Sequence, residues 1–424
     1  MKVLIITYYW PPAGGSGVQR WLKFVKYLQG FGITPVVYTV ENPDYALEDA
    51  SLQKDIPKGL EVLRHSIWEP YALANIFNKG KAKQTSAGFI SSKQSLFGKL
   101  STYIRANYFI PDARKFWIKP SLRFLEKYLI ENPVDAIIST GPPHSTHLIG
   151  LGLQEKLGVS WVADFRDPWT DIDYFHQLPL TKRGLKKHHT QEALVVSKAD
   201  LVLVVGTTMR QMLLKYNKNI AVVTNGYDGQ IDKEAVALDA RFSITHIGLM
   251  NEARNPYSLW KVLSELCDEL PDFAKDLEIK LIGKTDASVQ HSIAAEGLVG
   301  CVNDLGYIPH DQVHQHQKSS QVLLLAVNKV PSAKGIITGK IFEYLLAKRP
   351  IVAIGPEDGD LAAILKETHA GDIFDFDTSS RLKEKIVALY QTYKENELVV
   401  HSKHIDTYHR KALTGTLASL LKKL

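Results

Sequence analysis

The sequence predicts an α/β fold of two successive doubly wound domains that face each other across a cleft. Two observations carry this. Short apolar runs with the composition of buried parallel strands recur along the chain, and most lead through a loop into a stretch with helical spacing. This alternation runs from Lys2 to about Asn217, pauses at Thr224-Asn225-Gly226-Tyr227-Asp228, and begins afresh at Phe242. With 424 residues the chain can hold two or three domains of ordinary size. The expected division is 1–217, with a basic aromatic insert at 79–127, then 218–400, then a helix in 401–424 that packs back on the first domain.

In the first half the expected strands are Lys2–Tyr8, Ile33–Val40, Leu60–Arg64, Val134–Ser139, Ser160–Asp164 and Ala199–Val205, and a short strand at Asn219–Val223 marks the crossing into the second half. The first leads through Tyr9-Trp10-Pro11-Pro12-Ala13-Gly14-Gly15-Ser16-Gly17 into a helix from Val18 to Leu28. Three glycines and Ser16 therefore stand at a helix N-terminus, where free N–H groups and the helix dipole favour an anion; a merely tight turn fits equally. The spacing is not that of a dinucleotide fingerprint, because the third glycine position holds Arg20. The fourth strand ends in Thr140-Gly141-Pro142-Pro143-His144, which sets His144 beyond a carboxyl strand end, either as a functional group or as a structural histidine. The fifth runs into Asp164-Phe165-Arg166-Asp167-Pro168-Trp169. Asp164, Arg166 and Asp167 could orient sugar hydroxyls, with Trp169 as a flat apolar face, or the charges could pair among themselves.

In the second half the expected strands are Phe242–Gly248, Glu278–Ile282, Asp304–Ile308, Gln321–Ala326, Pro350–Ile354 and Gly371–Phe374, and the chain is helical from about Ser379 to its end. Arg254 lies just before a helix expected over Tyr257–Leu270, placed to grip a diphosphate. The densest constellation is Thr338-Gly339-Lys340, followed by Ile341, Phe342, Leu345 and Leu346 at helical spacing. Gly339 would let an anion approach the backbone, Lys340 adds a charge, and Glu343 one turn on could accept from both hydroxyls of a ribose. An ordinary amphipathic helix with solvated Lys340 and Glu343 has the same periodicity.

Composition narrows the field. Hydrophobic residues make up 45% and charged residues 23%, as in soluble globular proteins, and no apolar run is long enough to span a bilayer. The two cysteines, Cys267 and Cys301, support neither a disulfide framework nor a zinc site, which fits a cytoplasmic protein. The net charge is +6, yet 79–127 alone carries eleven basic residues against Asp112 and Glu126, a net +9, interleaved with aromatic residues that include Phe89, Phe97, Tyr103, Tyr108, Phe109, Phe116 and Trp117. Such a segment suits an anionic membrane surface or a polyphosphate-linked acceptor, and equally a solvated helical hairpin; no nucleic-acid motif accompanies it.

Taken together, the glycine loop, the Gly-Pro-Pro-His turn, the Asn225-Gly226 crossing, the Gly248–Arg254 loop and above all Lys340-Ile341-Phe342-Glu343-Tyr344-Leu345 resemble the retaining GT-B glycosyltransferases of family 4. The bacterial members that build surface polysaccharides are the most similar. The resemblance implies a GT-B fold of two Rossmann-like domains and transfer of a hexosyl group from a nucleoside diphosphate sugar to a hydroxyl of a glycan or lipid-linked acceptor, with retention of configuration. It implies that Glu343 binds ribose, that Arg254 and Lys340 hold the diphosphate, that Gly15, Ser16 and Gly17 close on the diphosphate or acceptor, and that His144 contacts the transferred sugar. Gly248, Gly335, Thr338 and Gly339 complete the donor set. No cofactor or metal is implied; Asp171/Asp173, Asp358/Asp360 and Asp375/Asp377 are the spacings a metal would need. The chain departs from the pattern at Gly335, where the family usually carries a first glutamate, and at Met250-Asn251, where an Arg-rich turn is common. An epimerase of the same architecture and a non-catalytic nucleotide-sugar or glycan-binding protein are the alternatives. Peripheral attachment to the inner face of the cytoplasmic membrane is the expectation tied to 79–127.

Overall fold

A computed structural model describes residues 1–45, 47–68, 96–229 and 236–424; the part of the expected insert from 79 to 95 lies outside them, as does the side chain of Ser16. The chain divides into two compact units, Met1–Asp228 with Arg410–Leu424, and Gly229–His409. The boundaries thus fall at 228/229 and 409/410, where the sequence suggests 217/218 and 400/401.

In the first unit seven strands form one parallel sheet: β1 Lys2–Ile6, β2 Thr34–Val40, β3 Glu61–His65, β4 Ala136–Gly141, β5 Ser160–Phe165, β6 Leu201–Val204 and β7 Ile220–Val222, in the order β3-β2-β1-β4-β5-β6-β7. The second unit holds β8 Phe242–Ile247, β9 Leu277–Ile282, β10 Val302–Gly306, β11 Val322–Ala326, β12 Ile351–Ile354 and β13 Gly371–Phe374, in the order β10-β9-β8-β11-β12-β13, again all parallel. Each expected strand forms. Two strands are displaced by two residues at both ends: β4 forms late, and β10 forms early because Val-Asn-Asp-Leu-Gly is a partly exposed edge strand whose apolar signal is weak.

The reason for these runs is burial on both faces. Val3 and Ile5 enter one core with Trp21, Phe24 and Leu417, while Leu4 and Ile6 enter another with Tyr38, Trp117 and Trp161. In each sheet the strand order reverses beside the first strand, between β1 and β4 and between β8 and β11. Open parallel sheets bind ligands at the carboxyl ends of the strands flanking that point. The glycine loop follows β1, the His144 turn follows β4, and the Gly248–Arg254 loop follows β8.

Two helices in the described part of the insert, Leu96–Tyr108 and Lys115–Glu131, replace the α/β rhythm there. Beyond Ser379 the chain is expected to be helical to its end, but two helices form with a non-helical stretch between them. Helix Ser380–Lys394 ends near Asn396, which adopts φ 58°, and a short turn at Ile405–Tyr408 precedes the helix Arg410–Leu421. That last helix belongs to the first unit, where Leu413, Leu417 and Leu421 join the core of the Ser16–Leu28 helix.

The first unit is pinned by Asp164 at the end of β5. Its carboxylate is fully buried and accepts from Arg20 Nη2 at 2.8 Å, Trp21 Nε1 at 2.7 Å and Thr140 Oγ1 at 2.8 Å. Arg20 also reaches Thr224 O and Asn225 Oδ1, which ties the crossing segment to the Ser16–Leu28 helix. Asp164→Ala would strand a buried guanidinium and is expected to cost about 3–5 kcal/mol. Denaturant unfolding should show that loss in the transition of the first unit, and a change below 1 kcal/mol would remove Asp164 from this role.

Candidate functional site

In the second unit, β8 delivers the chain to Gly248 at φ 104°, a left-handed conformation that favours glycine. Space demands it as well, since a Cβ there would stand 2.8 Å from Lys340 Cε. The loop continues to a single turn, Glu252–Arg254, capped by Asn251 Oδ1, which accepts from Arg254 N at 3.1 Å. Arg254 Nη1 donates to Leu249 O at 3.3 Å.

The helix Lys340–Ala347 begins opposite that loop, with Ile341, Phe342, Tyr344, Leu345 and Leu346 buried. Lys340 N donates to Thr338 Oγ1 at 3.2 Å. Backbone N–H groups of Ile337, Thr338 and Gly339 have no backbone acceptor among the described residues, so three successive donors lead into the helix N-terminus. Open space lies beside Gly339, which leaves room for a ligand at the backbone. Lys340 is largely enclosed, its Nζ 3.3 Å from His246 Nε2. Burial and the neighbouring Arg254 push its pKa down to about 7, against the pull of Glu343. Glu343 Oε2 accepts from Gln317 Nε2 at 3.1 Å, and Gln317 Oε1 in turn meets His314 Nδ1 at 3.0 Å. Gly335 closes a short turn at Ala333–Gly335 with no carboxylate on it. The structure thus brings Gly248, Arg254, Thr338, Gly339, Lys340 and Glu343 to one place.

Two residues of this cluster escape a reading of the sequence. His246 is a lone histidine inside the apolar strand Phe242–Ile247, which is a signal that could have been followed. Gln317 sits in the polar helix His310–Ser319, whose pattern distinguishes none of its residues.

In the first unit, Gly15 has φ 83° and precedes the Ser16–Leu28 helix. His144 is buried, and burial with His147 and Arg166 nearby lowers its pKa well below the usual range, so the ring is neutral. Its Nδ1 has no partner among the described residues, and the following helix N-terminus is already occupied, because Ser145 N and Oγ donate to Asp112 at 2.9 and 2.8 Å.

Three of the four residues expected to orient sugar hydroxyls do something else. Asp164 has no exposed surface and its oxygens are committed to Arg20, Trp21 and Thr140. Arg166 donates to the carbonyls of Gly141, Pro142 and Gly17, which knits the glycine loop to the Gly-Pro-Pro turn. Trp169 is 3% exposed; its face stacks on His144, with centroids 4.4 Å apart and planes 3° from parallel, and its Nε1 donates to His188 Nδ1 at 3.1 Å. Asp167 remains exposed.

Comparison with protein-family models and with curated protein sequences gives no match. Solved structures match over the whole chain. The E. coli trehalose-6-phosphate structure bound with UDP-2-fluoro glucose has a TM-score of 0.62 at 11% identity, covering 100% of this chain and 99% of that one. The lipopolysaccharide outer core galactosyltransferase WaaB, in its apo form, has a TM-score of 0.56 at 13% identity, covering 100% of both chains. WaaG, a glycosyltransferase involved in lipopolysaccharide biosynthesis, has 0.55 at 12% identity, covering 99% of both. At these identities the likeness shows the fold, which is the two-domain GT-B arrangement of Rossmann-like sheets.

Gly248→Ala places a methyl group against Lys340 in a strained conformation and should cost about 1–3 kcal/mol of stability. It should also weaken diphosphate binding to the second unit about tenfold or more. Titration of UDP, GDP and ADP against the variant measures this, and unchanged affinity for a nucleotide that the wild type binds would show that Gly248 does not confine Lys340.

Proposed function

We propose that this chain is a glycosyltransferase that moves a hexosyl group from a nucleoside diphosphate sugar to a hydroxyl of a glycan or lipid-linked acceptor, with retention of configuration, in surface polysaccharide biosynthesis. The observation that carries the reading is the convergence of Lys340, Arg254 and a free helix N-terminus around Gly248, with Glu343 one turn further in. Cations and N–H donors suit a diphosphate, and a carboxylate at that spacing suits the paired hydroxyls of a ribose. Structures of the same fold include one bound with UDP-2-fluoro glucose and one named as a galactosyltransferase, which supports a nucleotide sugar as the donor.

The hard part of such a transfer is departure of the diphosphate. Lys340, Arg254 and the N–H groups before the helix would stabilise charge developing on the leaving oxygen, as preorganised donors do in other enzymes. The diphosphate can then take the acceptor's proton, so no protein nucleophile is required, and the cations of this chain supply the charge that a metal would otherwise bring. His144, neutral and held flat against Trp169, is assigned to the transferred sugar. The basic residues of 79–127 are assigned to an anionic membrane surface on the cytoplasmic side, and loss of sedimentation with anionic vesicles at low salt is the result that would remove this assignment.

Gly335 favours a second reading, a protein that binds the nucleotide sugar without transferring it, because no carboxylate is available on that turn. A thermal-shift panel of UDP-, GDP-, ADP- and dTDP-sugars, with and without EDTA, separates the readings when paired with an acceptor screen. Stabilisation by one base class, insensitive to EDTA and lost in Glu343→Ala, is the expected result. Lys340→Ala or Arg254→Ala should lower turnover at least tenfold with the fold intact. Binding without transfer or hydrolysis would select the second reading, and no shift with any sugar nucleotide would overturn both.

The state of Lys340 adds a pH dependence. With its pKa near 7 in the free protein, a bound diphosphate raises it, so binding takes up a proton above that pH. Affinity for the nucleotide sugar, whose diphosphate does not titrate near neutrality, should fall about tenfold per pH unit above 7 until the bound-state value is reached. Calorimetry in buffers of different ionisation enthalpy measures the uptake, which should vanish in Lys340→Met. Equal uptake in that variant would assign the proton to another group.

A further inference from the structure

We propose that His246 is the positioning residue of the donor site: its Nε2 receives the Lys340 ammonium and holds it against the Gly248 loop until a phosphate oxygen replaces the imidazole as acceptor. This rests on the reading of the site as one for a nucleoside diphosphate.

His246 is the penultimate residue of β8 and is 1% exposed. It shares a strand face with Phe242 and Ile244, where the fold alone would be served by an apolar side chain. Its Nδ1 lies 3.3 Å from Leu324 O, and its Nε2 lies 3.3 Å from Lys340 Nζ. Two carbonyls, Leu324 O and that of Leu249, lie beside the ring and can only accept; the tautomer with its hydrogen on Nδ1 serves Leu324 O and leaves Nε2 with a lone pair towards Lys340. That lone pair faces the Lys340 ammonium.

The surrounding groups agree. The helix Lys340–Ala347 brings Lys340, Glu343 and Tyr344, the loop after β8 brings Arg254 and the Leu249 backbone, and β11 brings Leu324 O. Tyr344 is occupied, since its hydroxyl accepts from Ile247 N and donates to Leu324 O. Glu343 acts on Lys340 through space while its own oxygen takes Gln317. Lys340 has no ion pair within 4.0 Å among the described residues. A carboxylate in place of His246 would fix the ammonium equally well but would neutralise it and compete with phosphate. A neutral imidazole orients the cation and leaves its charge for the ligand.

The test is a double-mutant cycle read by binding of UDP, GDP and ADP at pH 6.5, where Lys340 is protonated. His246→Phe keeps a buried ring and removes the acceptor; His246→Gln restores one. The expectation is that His246→Phe weakens binding fivefold or more, that His246→Gln recovers most of the loss, and that adding His246→Phe to Lys340→Ala changes nothing further. Wild-type affinity in His246→Phe overturns the proposal, and so does equal weakening in the Lys340→Ala background, which would show that the ring acts through something other than the lysine. If His246→Phe does not fold, His246→Leu takes its place with the same outcomes. Binding that depends on Lys340 but not on His246 defeats this proposal alone, whereas absence of binding by all three nucleotides in the wild type defeats the site reading and this proposal with it.

Discussion

Burial of both faces of a parallel sheet is the constraint on which this chain depends. Alternate residues of β1 feed two different cores, so a polar side chain within a strand is held by protein partners, as Ser243 and Lys280 are by Asp239, and groups that can face a ligand gather at the carboxyl end, where the chain turns out of the sheet. The polar groups that matter collect at those ends: the glycine loop after β1, His144 after β4, and Gly248 to Arg254 after β8. His246 is the informative exception. It lies within a strand, yet one residue before the end, where an inward side chain can still meet a lysine from the next layer.

The two units treat buried charge in opposite ways. Asp164 and Arg20 are enclosed together, and every oxygen and most donors of the pair are satisfied, so that site is closed and holds the architecture together. Around Lys340 the charge is enclosed but not cancelled. Its contacts are a neutral imidazole and a second cation, with one carboxylate acting at a distance, and the price is a pKa near 7. An incompletely compensated cation, near three N–H groups that have no backbone acceptor among the described residues, is unfavourable in the free protein and becomes favourable when an anion arrives. That asymmetry is why the functional reading rests on the second unit.

The sequence made most of the fold readable, because both-face burial writes central strands as continuous apolar runs, and each of the thirteen expected strands forms. It was weaker where a strand is exposed, as at β10, and where a break depends on local geometry, as at Asn396 and His404 in the terminal region. At the candidate site, Gly248, Arg254, Lys340 and Glu343 were legible because cations and glycines at strand and helix ends have a direct physical meaning. Asp164, Arg166 and Trp169 carried a similar signal for a different reason. Their partners are non-local: Arg20 lies 144 residues before Asp164, and Gly17 lies 149 before Arg166. A charge at a strand end looks the same in sequence whether it faces a ligand or a distant arginine. His246 and Gln317 were missed for the converse reason, since their significance arises only from contacts with Lys340 and Glu343.

On the proposed function, Gly335 bears on how a sugar would be held. A carboxylate at that position would accept hydrogen bonds from sugar hydroxyls. Here the turn offers backbone instead: Gly335 N and Ile336 N are spent on Ser332 O and Ala333 O, and the next N–H groups, from Ile337 to Gly339, are open. A hydroxyl both donates and accepts, so replacing a carboxylate with N–H donors reverses the direction of the bond rather than abolishing it. The exchange also removes a negative charge from beside the diphosphate site, leaving Lys340 and Arg254 less compensated. On the proposed function, donor recognition would rest more on the diphosphate, and orienting the sugar would fall more to groups outside the Ala333–Gly339 segment.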